Sequence, residues 1–292
     1  MYRLPSAARQ LVQSFTGTIR LSLILFLALA LASWGFILVD ANSGFPDLFM
    51  AETWSSAAGF LGKLAGVGEE GTPAFLQGER WMETGILASK TLAMSILAIV
   101  FAGTGALLTF LPAARNVAMG ELSPHRRATP GWVLLHYFLR GTFILTRGVP
   151  ELVWAMLIII FLSPGILPGA VALGLHNYGI LGKLSAEVVE DTDPRPAPSQ
   201  RACGAGGLQV MGYGIIPQVL PQFITYLLYR WEVVIRTTIV VGFVSAGGLG
   251  MDFRLSMSFF HYSDIALLLA WYLLLVIGID MLCAGLRKLI RE

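Results

Sequence analysis

Five runs of apolar residues, each about as long as the hydrocarbon core of a bilayer is thick, constrain what this chain can become. They cover residues 21–39, 86–111, 166–186, 219–244 and 265–286. Backbone in hydrocarbon has no water to satisfy its N–H and C=O groups, so runs of this length close their hydrogen bonds within a helix. An all-α membrane protein is therefore expected. Composition agrees: 13% of the 292 residues are charged and 55% are hydrophobic, whereas soluble domains are about a quarter charged. A net charge of +2 provides no basic surface for nucleic acid.

A sixth apolar region, 132–162, is interrupted by Arg147-Gly148-Val149-Pro150. Arg140 and Arg147 would each cost about 2.5–3.5 kcal/mol at the bilayer centre. This predicts a segment 132–147 along the cytoplasmic interface, a bend at Pro150, and a span beginning at Val149. Basic residues set the orientation. Arg3, Arg9 and Arg20 precede the first run, Arg115, Arg126 and Arg127 follow the second, and Arg287, Lys288 and Arg291 end the chain. The loop 40–85 is acidic, with only Lys63 and Arg80 as basic residues. Six transmembrane helices with both termini cytoplasmic satisfy these signs. Residues 1–85 then form an anchor helix and an external loop. Residues 86–292 form the core, with a polar cytoplasmic loop at 191–214. The first run exceeds the apolar stretch of about 7–15 residues in a signal peptide and is expected to be an anchor. Phe45, Phe49, Trp54, Phe60, Phe75 and Trp81 in the external loop suggest interfacial packing. The loop is either a cap serving topology alone or a docking surface for an external partner.

Arg230, Glu232 and Arg236 fall inside the run 219–244. At about 1.5 Å per residue they lie about 16–25 Å from its start, well within a bilayer. Such residues are expensive and face a wet cavity or a partner helix. Two readings stay open. An arginine lines an anion pathway, since its planar fork suits phosphoryl oxygens; or an ion pair locks two helices. Both hold if Glu232 keeps Arg236, four residues on, while Arg230 stays free. His176, Asn177 and Tyr178 form a second polar patch, read as pathway lining or as helix–helix hydrogen bonding. Gly247, Gly248 and Gly250 mark either a gate at an outer turn or a tight re-entrant turn. Ser95, Gly103 and Gly105 permit close helix packing.

No metal site is expected, because no second ligand stands at ligand spacing from His176. Cys203 and Cys283 are read as inert thiols. No nucleophile–base pair suggests an enzyme. Gly182-Lys183-Leu184 lacks both the upstream glycine (Asn177 stands there) and the following Ser or Thr of a phosphate loop. The chain is therefore expected to hold no cofactor and no nucleotide of its own.

The polar loop carries a pattern: Lys183-Leu184 with Glu187 and Glu190, then Asp193-Pro194, Arg201-Ala202-x-Gly204-Ala205, and Tyr213-Gly214-Ile215-Ile216-Pro217. Tyr229-Arg230-x-Glu232, Arg236, Val241-Gly242 and Ala246-Gly247-Gly248-Leu249-Gly250 follow, and Arg147-x-x-Pro150-Glu151 precedes it. On these residues the chain resembles the permease subunit of phosphonate ABC importers, a group with a methionine-permease type of core that also includes phosphite and hypophosphite permeases. The resemblance implies a type I importer permease fold in the cytoplasmic (inner) membrane. It implies a second copy of the chain, two cytoplasmic ATPase subunits that bind ATP and Mg, an external substrate-binding protein, and surrounding lipid. Cargo would be a phosphorus oxyanion moved by alternating access, with Ser199, Arg201, Ala202, Gly204 and Pro217 coupling to the ATPase. One departure stands out: Pro198 occupies the position of a family glutamate. Pro194, Pro196 and Pro198 are expected to delay the loop's helix until Ser199, which can cap it. The rival reading is a secondary anion transporter or channel with no ATPase; the absence of a visible inverted repeat weighs against it.

Overall fold

The computed structural model describes residues 6–40, 43–69, 71–119, 122 and 129–291, and among these every regular element is helical. The chain divides into two compact units, Met1–Lys63 and Leu64–Glu292. The first holds α1 (Ser6–Val39), a 3-10 turn (Pro46–Phe49) and α2 (Ala51–Leu64). The apolar stretch of α1, Ile19–Val39, buries none of its side chains within the protein, as expected of a helix whose solvent is lipid.

The second unit is built on α3 (Gly78–Ala113) and α7 (Ile166–Asp191), which pack along each other more extensively than any other pair. Small residues set that distance. A Cβ on Gly174 would come within 2.6 Å of the Phe101 ring and 3.2 Å of the Ala98 carbonyl. Gly103 is similarly covered by Leu227, at 2.6 Å, and Trp231 donates to Ser95 Oγ at 3.2 Å. The sequence reading of close packing at these positions therefore holds. Around the pair lie α4 (Arg115–Met119), α5 (Pro130–Gly148), α6 (Glu151–Ile158), α10 (Ile216–Val241), α11 (Leu249–Ser258) and α12 (Tyr262–Arg291).

Among the described residues, three helices are long and apolar enough to cross a membrane: Ile19–Val39, Gly78–Ala113 and Tyr262–Ile290. There are up to five if α5 with α6, and α10 with α11, each count as one bent span. α7 is absent from that set although its 26 residues reach about 39 Å. Its polar His176, Asn177 and Lys183 lower its hydropathy. It tolerates them because α3, α5, α6 and α10 cover it, so little of its surface has to be oily.

The region 132–162 corrects the sequence reading. The bend at Pro150 is present, at 93° between α5 and α6. The helix beyond it has only 8 residues, about 12 Å, too short to cross about 30 Å of hydrocarbon. The longer arm is α5, before the proline, with 19 residues, and the two arms together make one bent candidate span. Arg140 is tolerated there because it pairs with Glu190 and donates to the Ala113 carbonyl at 2.9 Å.

Candidate functional site

The loop after α7 folds into a compact knob. Asp193 and Arg195 pair across two residues; the guanidinium beside it holds the Asp193 carboxyl below the usual carboxylate range. Then comes α8 (Pro196–Ala202). The expectation that this helix waits for Ser199 is wrong. Pro196 and Pro198 sit in its first turn, where backbone N–H groups have no helical acceptor and proline removes nothing useful. Ser199 lies inside the helix, its Oγ donating to the Arg195 carbonyl at 3.3 Å.

Gly204 ends α8 in the left-handed region, φ +89°, with open space around it. Its N–H donates to the Arg201 carbonyl at 3.0 Å, and that of Ala205 to Gln200 at 3.1 Å, a reversal that glycine makes without a Cβ penalty. Gly206 N–H then donates to Gln209 Oε1 at 2.8 Å across α9 (Gly207–Gln209), and a π-helical turn, Val210–Ile215, leads into α10 with Pro217 in its first turn. Gly214 serves another purpose. A Cβ there would lie 2.6 Å from Gln200 Oε1, so α8 rests directly on the π turn. The two glycines of the loop pattern thus set a turn and a close approach respectively.

Ala197, Val210, Ile215 and Val219 join Phe110, Leu139, Phe143 and Val189 in one buried cluster. This fixes the knob to the ends of α3 and α7 and to the body of α5. Near the end of α7, Glu190 pairs with Arg140 of α5 and accepts the Arg115 N–H of α4 at 2.7 Å. The free side of the knob has an open hollow of about 620 Å³ lined by Ser199, Gln200, Cys203, Gly204, Gln209 and Tyr213. Beside it Leu208 and Tyr213 are about four-fifths exposed, at 81% and 79%. Sequence reasoning passed over Leu208; a leucine exposed in a polar loop is its signal.

The charges of α10 do not pair as expected. Glu232 does not hold Arg236. It accepts from Arg287 of α12 at 2.5 Å, while Arg236 pairs with Asp280 of α12 at 2.8 Å. α12 runs antiparallel beside α10, so carboxylate and guanidinium alternate across the seam. Nor is Arg230 free: its Nε and Nη2 both donate to Asn177 Oδ1 of α7, at 2.8 and 2.6 Å. Glu232 stands beside the last two turns of α12, whose end is basic.

Next to Asn177, His176 Nδ1 lies 3.0 Å from the Val149 carbonyl. A carbonyl only accepts, so the proton sits on Nδ1. Nε2 faces Glu151 at 3.5 Å. Glu151, His176, Asn177 and Arg230 therefore form one polar group where α6, α7 and α10 meet. Among the described residues, Arg230 has no carboxylate within ion-pair distance.

At the far end of α10 the π-helical turn Gly242–Ala246 leads into α11. Gly247 (φ +90°) and Gly248 (φ +72°) are both left-handed. A Cβ on Gly250 would sit 2.2 Å from the Ile239 carbonyl and 2.7 Å from Gly242 Cα. Leu249 N–H donates to Thr91 Oγ1 at 2.9 Å. The arrangement is a close-packed turn pinned to α3, and Thr91 is a partner that sequence reasoning missed.

Comparison with known proteins gives concordant results. A family profile described as binding-protein-dependent transport system inner membrane component matches residues 133–291. The chain is 34% identical over 269 residues to the phosphite transport system permease protein PtxC of Stutzerimonas stutzeri, covering 91% of this chain and 86% of that one. It is 30% identical over 208 residues to the phosphate-import permease protein PhnE of Mycolicibacterium smegmatis, covering 71% of this chain and 37% of that one. Among solved structures, a chain of the MetNI methionine ABC transporter in an inward-facing conformation matches with a TM-score of 0.57 at 16% identity, over 70% of this chain and 94% of that one.

Proposed function

This chain belongs to the family of binding-protein-dependent transport system inner membrane components, and from that premise we propose that it is the permease subunit of an ATP-driven importer for a phosphorus oxyanion such as phosphite or an alkylphosphonate. It is a multi-pass protein of the inner membrane. Six spans are reached by adding α7 to α1, α3, α12 and the two bent pairs, which leaves both termini cytoplasmic. Two copies enclose the path. Two ATPase subunits, which bind ATP and Mg, dock on the knob of α8, Gly204 and the π turn. An external binding protein delivers the cargo. ATP binding draws the two knobs together and rocks the bundles between outward- and inward-open states.

The observation that carries the cargo reading is Arg230. It is the one charge of the Arg230–Glu232–Arg236 set held by a neutral amide instead of an opposite charge. A guanidinium paired with a carboxylate is already neutralised; one held by an amide keeps its charge for an anion. The likeness to a phosphite permease supports the same class. Arg230 meets the anion in the loop-side half of the path, with His176 and Glu151 beside it. Gly247, Gly248 and Gly250 form the turn at the opposite end, where the path is gated. In cells expressing the whole operon, uptake of labelled phosphite and a labelled alkylphosphonate is compared for the intact chain and for Gly204→Glu. Loss of uptake with normal membrane insertion supports ATPase coupling, and the labelled compound taken up identifies the cargo. Undiminished uptake would remove the knob as the coupling element and restore the secondary-transporter reading.

A further inference from the structure

The external loop contains a helix that leaves large apolar side chains exposed. No residue of α2 is buried. Trp54 is 66% exposed, Leu61 63% and Phe60 40%. These side chains are not scattered. At about 100° per residue, Trp54, Ala57, Ala58 and Leu61 share one face of the helix, with Phe60 at its edge. Glu52, Ser55, Ser56 and Lys63 occupy the opposite face.

What meets the apolar face follows from how α2 is tied down. The apolar stretch of α1, Ile19–Val39, has 21 residues, about 31 Å. That matches a hydrocarbon core of about 30 Å, with no length to spare. Trp34 therefore lies about 7.5 Å inside its end. The chain beyond α1 folds back onto this level. Phe45 packs edge-on against Trp34 with centroids 6.3 Å apart, and Phe49 against Phe45 at 5.4 Å. Trp54 then donates its indole N–H to the Leu48 carbonyl at 2.9 Å. The start of α2 is thus held, through aromatic contacts and one hydrogen bond, near the depth at which α1 leaves the hydrocarbon. A Trp there with its N–H satisfied and its ring exposed is suited to the headgroup–acyl boundary.

We propose that α2 is an interfacial helix that lies in the membrane plane, its Trp54–Ala57–Leu61 face sunk in the lipid boundary and its Glu52–Ser56–Lys63 face in water. The occupant of the face is lipid. A helix placed this way holds its part of the external loop at fixed depth in the lipid boundary. The inference needs only α1 as a span and is independent of the cargo.

The test uses the full chain carrying Cys203→Ser, in vesicles of phosphatidylethanolamine and phosphatidylglycerol. Nitroxide labels are placed singly by Ala57→Cys, Leu61→Cys, Ser56→Cys and Lys63→Cys. Collision with oxygen, which concentrates in lipid, is compared with collision with a water-soluble nickel chelate. Labels at 57 and 61 should favour oxygen and those at 56 and 63 the chelate, so that preference alternates with helical period. Four water-exposed labels would overturn the proposal. So would labels at 57 and 61 shielded from both agents, which would mean a protein, a second copy or another chain, covers the face. The helical content of each labelled protein, read by circular dichroism against the unlabelled chain, shows that the substitutions leave the fold intact.

Discussion

At the scale of single residues, the decisive contact is Arg230 with Asn177. Both guanidinium N–H groups on one edge go to a single amide oxygen, an acceptor of the kind a phosphoryl oxygen would replace. Arg230→Gln should lower uptake about tenfold or more, since hydrogen bonds to a charged group contribute about 1.5–3 kcal/mol. Asn177→Asp should also impair uptake while leaving the fold intact, because a carboxylate at that position neutralises Arg230 and competes with the cargo. Concentration dependence of uptake checks both: a raised half-saturation for Asn177→Asp is expected, and unchanged transport in both variants would remove this pair from the path. Gly250 makes a simpler case. A methyl group 2.2 Å from the Ile239 carbonyl forces α11 away from α10. Gly250→Ala should cost about 1–3 kcal/mol, seen as a lower melting temperature in detergent.

At the scale of elements, the seam between α10 and α12 combines two ion pairs of different burial. The Glu232 and Arg287 side chains are 12% and 24% exposed, those of Arg236 and Asp280 49% and 39%. Removing one member of the first pair leaves a poorly solvated charge behind, which is the costly case. Where water reaches the second pair, screening holds its coupling to about 1 kcal/mol or less. A double-mutant cycle on thermal stability should therefore give larger coupling for Glu232–Arg287 than for Arg236–Asp280; the reverse order would contradict this geometry. These pairs also show where sequence reasoning stops. The spacing of Glu232 and Arg236 suggested a contact within one helix, but each found its partner on another. Only the packing of α12 could supply Arg287 and Asp280, which lie more than forty residues along the chain.

At the scale of the whole molecule, the two cysteines report topology. Cys203 is exposed on the knob and Cys283 is buried in α12. A membrane-impermeant maleimide should modify Cys203 in inside-out vesicles and leave it unmodified in right-side-out ones, while Cys283 stays unreacted in both. Assembly with the ATPase should protect Cys203, because it lines the hollow where docking is proposed. Labelling from the outside would reverse the orientation drawn from basic residues.

The sequence by itself determined the all-helical character, the long apolar runs, the bend at Pro150 and the importer pattern of the polar loop. These follow from local rules: a backbone in lipid must bond to itself, proline removes a donor, and glycine alone makes certain turns without strain. The tertiary structure decided which side of Pro150 carries the longer helix, where α8 begins, what Gly214 and Gly250 are packed against, and which partner each charge takes. It also revealed that α7 stays polar because its neighbours cover it. Such outcomes depend on side chains from distant segments meeting in a close-packed interior, and spacing along one chain carries no information about that meeting.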